Sequence, residues 1–423
     1  MPTLATDAHL ADFAAFLQAS PSSFHAAAEV GRRLDEAGFD RLDEADAWPE
    51  GPGRRYVIRD GAVIAWVEPD GAGPLTPFRI LGAHTDSPGF KLKPNPSTTA
   101  AGLLQAAVEV YGGPLLNSWL DRELELAGRV VTTAGEERLV RTGPLLRIPQ
   151  LAIHLDREVS SAGLTLDKQT HMQPIWGAGA AEDLLDLLAD LAGVDRGSIA
   201  GHDLLTADTA APARFGRDDV FFAAGRMDNL SSVFAGLVAL LAAPSDAPHA
   251  SILAAFDHEE IGSGSRSGAE GPFLEDVLAR IAAGRGADEV DRRRAFAGSV
   301  LVSADAGHGV HPNYPDKHDP VHRPVLGGGP LLKLNANQRY ASDAVGSALW
   351  AEACARAGVG VQAFVSNNRI PCGSTIGPIA ATRLGIRTVD VGVPLLSMHS
   401  ARELAHTADL TALAEAMRAV LVG

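Results

Sequence analysis

The sequence predicts an α/β fold, with a mostly parallel sheet flanked by helices and an inserted β-rich block. Three observations carry this prediction. From residue 220 onward, short apolar runs alternate with helical segments, the rhythm of a parallel sheet covered on both faces. Apolar runs of the same kind close the first 94 residues. Between residues 95 and 219 the rhythm stops, and alternating pieces such as RELELAGRVVTT and RLVRTGPLLRIP read as small antiparallel strands. Residues 1–94 and 220–423 are therefore expected to form one discontinuous domain, with 95–219 inserted as a second. A chain of 423 residues is long enough for both.

The opening segment, DAHLADFAAFLQASPSSFHAAAEVGRRLDEAGF, reads as two helices broken at Ser20-Pro21-Ser22. Ser22 or Ser23 is suited to cap the second helix and Gly38 to end it. RRYVIRDGAVIAWVEP is a hairpin by its alternation, turning at Asp60-Gly61. PFRILGAHTDSPG is an apolar strand that runs into a polar, glycine-bearing loop. After the inserted block, DDVFFAAGRMDN reads as a strand and LSSVFAGLVALLAA as the helix that follows it. Then come strand ASILAAFDHEE, helix PFLEDVLARIAAG, strand SVLVSADAGHG and helix SDAVGSALWAEACARAG. Strands VQAFVSN and IRTVDVGVP and helix DLTALAEAMRAVLVG complete the series.

A hydrophobic fraction of 46% and a charged fraction of 21% are those of an ordinary globular protein. The net charge of -16 argues against nucleic acid or an anionic membrane as partner, since both favour basic surfaces. The most apolar segment, VFAGLVALLAAP, is too short to span a bilayer. Two cysteines, Cys354 and Cys372, make no disulfide framework and suit a reducing compartment. The first basic residue is Arg32, and Asp7 and Asp12 interrupt the early apolar stretch, so no secretory leader can be drawn. The expectation is a cytoplasmic protein.

Ligands of open α/β sheets gather at the carboxyl ends of the strands. His84-Thr85-Asp86, Asp228, Glu259-Glu260, Asp305 and His399 all fall at or after such ends. A single His or Asp in a loop is usually solvated or hydrogen-bonded, so the argument rests on their joint position. Two imidazoles with several carboxylates form a nitrogen and oxygen donor set for zinc, cobalt or manganese. His84, Asp228, Glu260, Asp305 and His399 suffice for two divalent cations if one carboxylate bridges them. Glu259 is then left over, beside the metals, in the position of a general base. Competing motifs fail. GSGSRSG has the wrong glycine spacing for a dinucleotide fingerprint and lacks the lysine of a phosphate loop, and GSTIG puts Thr375 where a nucleophilic serine would stand.

GAHTDSPGFKLKP, RMDNLSSVFAG, DHEEIGSGSRSGA, SADAGHGVHPNYPDKHDPVHRP, LKLNANQRYAS, PCGSTIGP and SMHSARE occur in this order. Together they resemble the aspartyl aminopeptidase family of dinuclear zinc metallo-aminopeptidases, and ASPSSFHAAAE resembles that family's N-terminal helix pair. The resemblance implies a two-zinc catalytic domain of zinc-peptidase type interrupted by a dimerisation domain. It makes His84 and Asp305 zinc ligands, Asp228 the bridge, Glu260 and His399 the remaining ligands and Glu259 the base. It also implies a cis peptide bond after Asp228. The implied reaction removes the N-terminal residue of a peptide, with Glu259 taking a proton from the attacking water and returning it to the leaving amine. Lys333 would receive an acidic Asp or Glu side chain, although some members favour neutral, Leu-type residues. His308 would line the substrate site, and His154 would reach a neighbouring subunit's site in a tetrahedral dodecamer built from dimers. A carboxypeptidase or deacylase of the same clan would need a cation for the substrate's terminal carboxylate. A non-catalytic shell protein would have a degraded ligand set, and none of the set is missing.

Overall fold

The computed structural model describes residues 3–422. A nine-stranded sheet runs, edge to edge, through Asp40–Arg41, Gly53–Arg59, Ala62–Glu68, Ala250–Phe256, Phe78–His84, Val300–Ala304, Arg387–Gly392, Leu331–Leu334 and Gln362–Val365. The four central strands, Ala250–Phe256 through Arg387–Gly392, are mutually parallel. Their carboxyl ends therefore emerge together. The flanking hairpin Gly53–Arg59/Ala62–Glu68 is antiparallel and turns at Asp60, which has a φ of +56°.

Alternation along the central strands sends side chains into two separate cores. Leu81, Ala83, Leu253 and Ala255 face one layer of helices with Phe13, Phe16, Phe234, Trp350 and Leu413. Phe78, Ile80, Ile252 and Ala254 face the other, with Phe273, Leu278, Phe296 and Ile376. A strand buried on both sides has no need of a polar face, which explains the continuous apolar runs of the sequence. The first two helices are Thr6–Ala19 and Ser23–Glu36, and Ser22 caps the second through the backbone N–H of His25.

A six-stranded antiparallel sheet forms the second domain, in the order Glu137–Arg141, Leu124–Thr132, Ile199–Asp208, Gly89–Ala100, Leu103–Tyr111 and Ile175–Ala178. It has its own core around Phe90, Trp119, Leu124, Leu188 and Leu204. The strand Gly89–Ala100 passes through residue 94 without a break. Chain thus moves from the large sheet to the small one within a few residues of His84.

The strand expected in DDVFFAAGRMDN exists as Phe221–Ala224, but it does not join the large sheet. It pairs antiparallel with Ala213–Phe215 and Glu403–His406 in a small sheet of its own. Its alternating burial, one face in and one out, distinguishes it from the fully buried central strands. Several elements escape the sequence reading, among them the helices Leu184–Ala192 and Glu289–Ala297. The strand Leu331–Leu334 is only four residues long and follows a run of glycines, and the helix Ile376–Leu384 has Gly377-Pro378 in its first turn, with Thr375 as cap. No helix among the described residues is long and apolar enough to cross a membrane.

Candidate active site

Four strand ends and one helix start converge on a single cluster. His84 closes its strand in register with Phe256, so His84 and the turn holding Glu259 and Glu260 come from neighbouring strands. Asp305 follows Ala304 on the next strand. Gly392 is needed beside it, because a Cβ there would lie 1.7 Å from the Asp305 carbonyl oxygen. Asp228 opens the helix Met227–Leu241, and the Asp228–Asn229 peptide bond is cis. Arg226, His258 and His399 take left-handed φ angles of +63°, +65° and +64°. Such angles are sparsely populated by non-glycine residues, and they occur in three of the segments that present the site.

Asp228 lies at the centre. Its Oδ1 is 3.4 Å from His84 Nε2 and its Oδ2 is 3.4 Å from His399 Nε2. Asp305 Oδ1 stands 3.4 Å from His84 Nε2, and Glu260 Oε2 stands 3.4 Å from His399 Nε2. Glu259 is the outlier, with Oε2 at 3.8 Å from His84 Nε2. The carboxylate of Asp228 thus faces two groups of donors, His84 with Asp305 and His399 with Glu260.

These separations exceed those of good N–H···O hydrogen bonds. They match the roughly 3.3–3.6 Å between ligands that surround one zinc ion at about 2.0–2.2 Å. Asp228 Oδ1 and Glu260 Oε1 are buried without a hydrogen-bond partner, and His84, Asp228 and Glu260 each offer an atom within 4.8 Å of the other two. Unpaired buried carboxylate oxygens are costly unless a cation meets them. The residues present therefore fit a divalent metal.

Electrostatics reflects the crowding. Burial opposes a charge on His84 and on His399, but the carboxylates around them prevail, raising His84 well above the usual range and His399 to about 10. Burial raises Glu260, helped by Asp228. Asp228 runs the other way, because its contacts with His399 and His84 outweigh its burial and hold it below the ordinary range.

A supporting layer holds these side chains. His84 Nδ1 lies 3.0 Å from the Asp86 carbonyl oxygen, and His399 Nδ1 lies 3.0 Å from that of Gly113. The Asp86 carboxylate accepts from the backbone N–H groups of Glu259 at 3.0 Å and Glu260 at 3.1 Å. Glu403, 2% exposed, accepts from the N–H of Asp228 at 3.0 Å and of His399 at 2.9 Å. Ser87 Oγ donates to the Asp228 carbonyl at 2.7 Å. Sequence reasoning assigned no role to Asp86 or Glu403. Their signal was proximity to the ligands, two residues after His84 and four after His399.

In front of the cluster lies a cavity of about 320 Å³ lined by His308, Lys333, Tyr340, Phe364 and Met398, with Glu259 at the metal side. Lys333 is 2% exposed, donating to Ala306 O at 2.7 Å and to Asp305 Oδ2 at 3.2 Å. His308 meets Phe364 edge-on at 6.0 Å between ring centroids. His154 stays apart, on an exposed turn of the inserted domain flanked by the exposed apolar residues Ile153 and Leu155.

Comparison with known proteins follows the same lines. Residues 16–420 match the family described as aminopeptidase I zinc metalloprotease, M18. The chain is 54% identical over 420 residues to a probable M18 family aminopeptidase 2 of Streptomyces coelicolor, covering 98% of this chain and 97% of that one. Among solved structures it is similar to the aminopeptidase 1 dodecamer of Saccharomyces cerevisiae, at 30% identity and a TM-score of 0.85 over 98% of this chain and 96% of that one. It is also similar to the M18 aminopeptidase of Thermotoga maritima, at 26% identity and a TM-score of 0.88 over 98% and 96%.

Proposed function

The chain belongs to the M18 family of zinc metallo-aminopeptidases, and from that premise we propose a two-zinc enzyme that removes acidic N-terminal residues from peptides. The observation that carries the dinuclear reading is the Asp228 carboxylate, one oxygen toward His84 and the other toward His399. His84, Asp305 and Asp228 would hold one ion, and Asp228, Glu260 and His399 the other. Bound zinc supplies Lewis acidity to the scissile carbonyl and to the attacking water. Glu259, free of the ligand set, takes the proton of that water and delivers it to the departing amine. The carboxylates of the cluster attract the substrate's free ammonium group, so a blocked N-terminus loses its anchor.

Lys333 supports the acidic preference. An ammonium has three donors, and two of them are engaged by Asp305 and Ala306. The ammonium also lies 5.4 Å from the Tyr340 ring centroid, on the cavity wall where a substrate carboxylate entering between His308 and Tyr340 would meet it, and no other lysine or arginine is among the described residues that line this cavity. Initial rates on free and N-acetylated peptides beginning with Asp, Glu, Leu and Lys test the whole reading. Only unblocked peptides are expected to be cleaved, Asp and Glu fastest. Lys333→Met is expected to lower kcat/KM on Asp and Glu peptides by about 10- to 100-fold, the worth of a hydrogen bond to a charged group, while Leu peptides change less. Equal losses on all peptides would make Lys333 a support for Asp305 alone.

The same premise extends to assembly. Leu151, Ile153 and Leu155 are 52–75% exposed on the turn that carries His154, an apolar surface suited to burial against another subunit. A dodecamer like that of the yeast enzyme, with His154 reaching a neighbour's site, accounts for this turn. Sedimentation is expected to find a large homo-oligomer, and a fully active monomer would refute the role of His154. The free Cys354 and Cys372 accord with a cytoplasmic location.

A further inference from the structure

The inserted domain touches the metal cluster of its own subunit. Tyr111, the last residue of the strand Leu103–Tyr111, donates its hydroxyl to Asp86 Oδ2 at 2.8 Å. Gly112 has a φ of +67°, and a Cβ there would stand 3.1 Å from Glu260 Cβ, so the chain passes directly against the second glutamate. The carbonyl of Gly113 faces His399 Nδ1 at 3.0 Å, and the N–H of Leu115 donates to the His399 carbonyl at 3.0 Å. Ser118 Oγ accepts from the N–H of Ala401 at 3.0 Å. One short segment of the second domain thus braces both ends of the cluster.

Among these contacts the phenol of Tyr111 is the one that a point substitution can remove cleanly. Asp86 Oδ2 accepts two hydrogen bonds, from Glu260 N–H and from Tyr111, while Oδ1 accepts from Glu259 N–H and lies 3.4 Å from His84 Nδ1. A carboxylate that fixes three site residues must itself be fixed, and it is 4% exposed with no solvent to orient it. We infer that Tyr111 is a positioning residue for the aminopeptidase reaction: through Asp86 it sets the turn carrying Glu259 and Glu260, so that the inserted domain takes part in catalysis within its own subunit. This inference rests on the assignment of Glu259, Glu260 and His84 made above.

The test compares Tyr111→Phe with Arg129→Gln in the zinc-loaded oligomer. Arg129 spans the same domain seam, bonding Asp60 at 2.9 Å, but touches neither Asp86 nor the cluster. Partners of metal ligands typically affect metal affinity or activity by about 10- to 100-fold. Tyr111→Phe is therefore expected to lower kcat about tenfold, with KM changed less than twofold, and to release zinc to a chelator about tenfold more readily. Arg129→Gln is expected to lower the melting temperature while kcat and zinc retention hold. Unchanged kcat and zinc retention in Tyr111→Phe would overturn the inference, as would an equal kcat loss in Arg129→Gln, which would mean that loose domain seating is responsible. If Glu259→Gln is inactive while Tyr111→Phe behaves as the native enzyme, the inference falls and the assignment of the site stands.

Discussion

Glu259→Gln is expected to lower kcat by about 10²- to 10⁴-fold while zinc stays bound, the range that a positioned proton-transfer group supplies. Glutamine keeps the shape of the side chain and removes its capacity to hold a proton. Glu259 stands farther from His84 Nε2 than Asp228 and Asp305 do, 3.8 Å against 3.4 Å, and it makes no close contact with His399. On the proposed assignment it would stand near the ions without being needed to hold them. Burial pushes its carboxyl up to about 8, with Asp305 and Asp228 adding to the rise against the pull of His84. A carboxyl whose proton affinity lies near neutrality suits a group that must both take and return a proton. Metal analysis beside the kinetics decides the matter, for a variant that loses zinc together with activity would show Glu259 to be a ligand.

Exhaustive chelation is expected to abolish turnover, leave the protein folded and lower its melting temperature. The two cores on either face of the large sheet hold without the site, so far-UV circular dichroism should keep its native form. Ion binding to the native state alone adds stability, about 2.7 kcal/mol when free zinc is 100 times its dissociation constant. Added zinc or cobalt should restore activity. The sign of the pH dependence follows from the metal-free cluster. The carboxylates around them raise His399 to about 10 and shift His84 in the same direction, and zinc requires both rings neutral. Zinc therefore displaces protons, and its affinity should rise with pH by about tenfold per unit for each proton displaced. Titration calorimetry in buffers of different ionisation enthalpy counts those protons; a count of zero would contradict the protonated cluster.

Much of this was legible in the sequence because the large sheet obeys simple rules. Strands buried on both faces are apolar throughout, and the parallel ones must end together, so His84, Glu259, Glu260 and Asp305 could be gathered before any coordinates. His399 was less direct, since it lies past the short strand Pro394–Leu395 on a left-handed turn. The support of Tyr111 was invisible. It comes from another domain and reaches Asp86 by tertiary packing alone, with no periodicity or spacing to announce it. The strand Phe221–Ala224 was misplaced for a related reason, because its partner Glu403–His406 lies far along the chain and short strands do not declare their sheet.

The spread of the cluster along the chain, from His84 to Glu403, also bears on its synthesis. More than 300 residues separate His84 from His399. At about 5–20 residues per second, a ribosome needs about 15–60 s to make that stretch. Late in that interval, once Asp305 has been made, the emerging chain carries His84, Asp228, Glu260 and Asp305 but neither His399 nor the Glu403 that accepts from the Asp228 N–H. On the proposed assignment the site of the second ion is complete only once His399 has been made, so a chain cut short before that residue would lack the two-zinc centre.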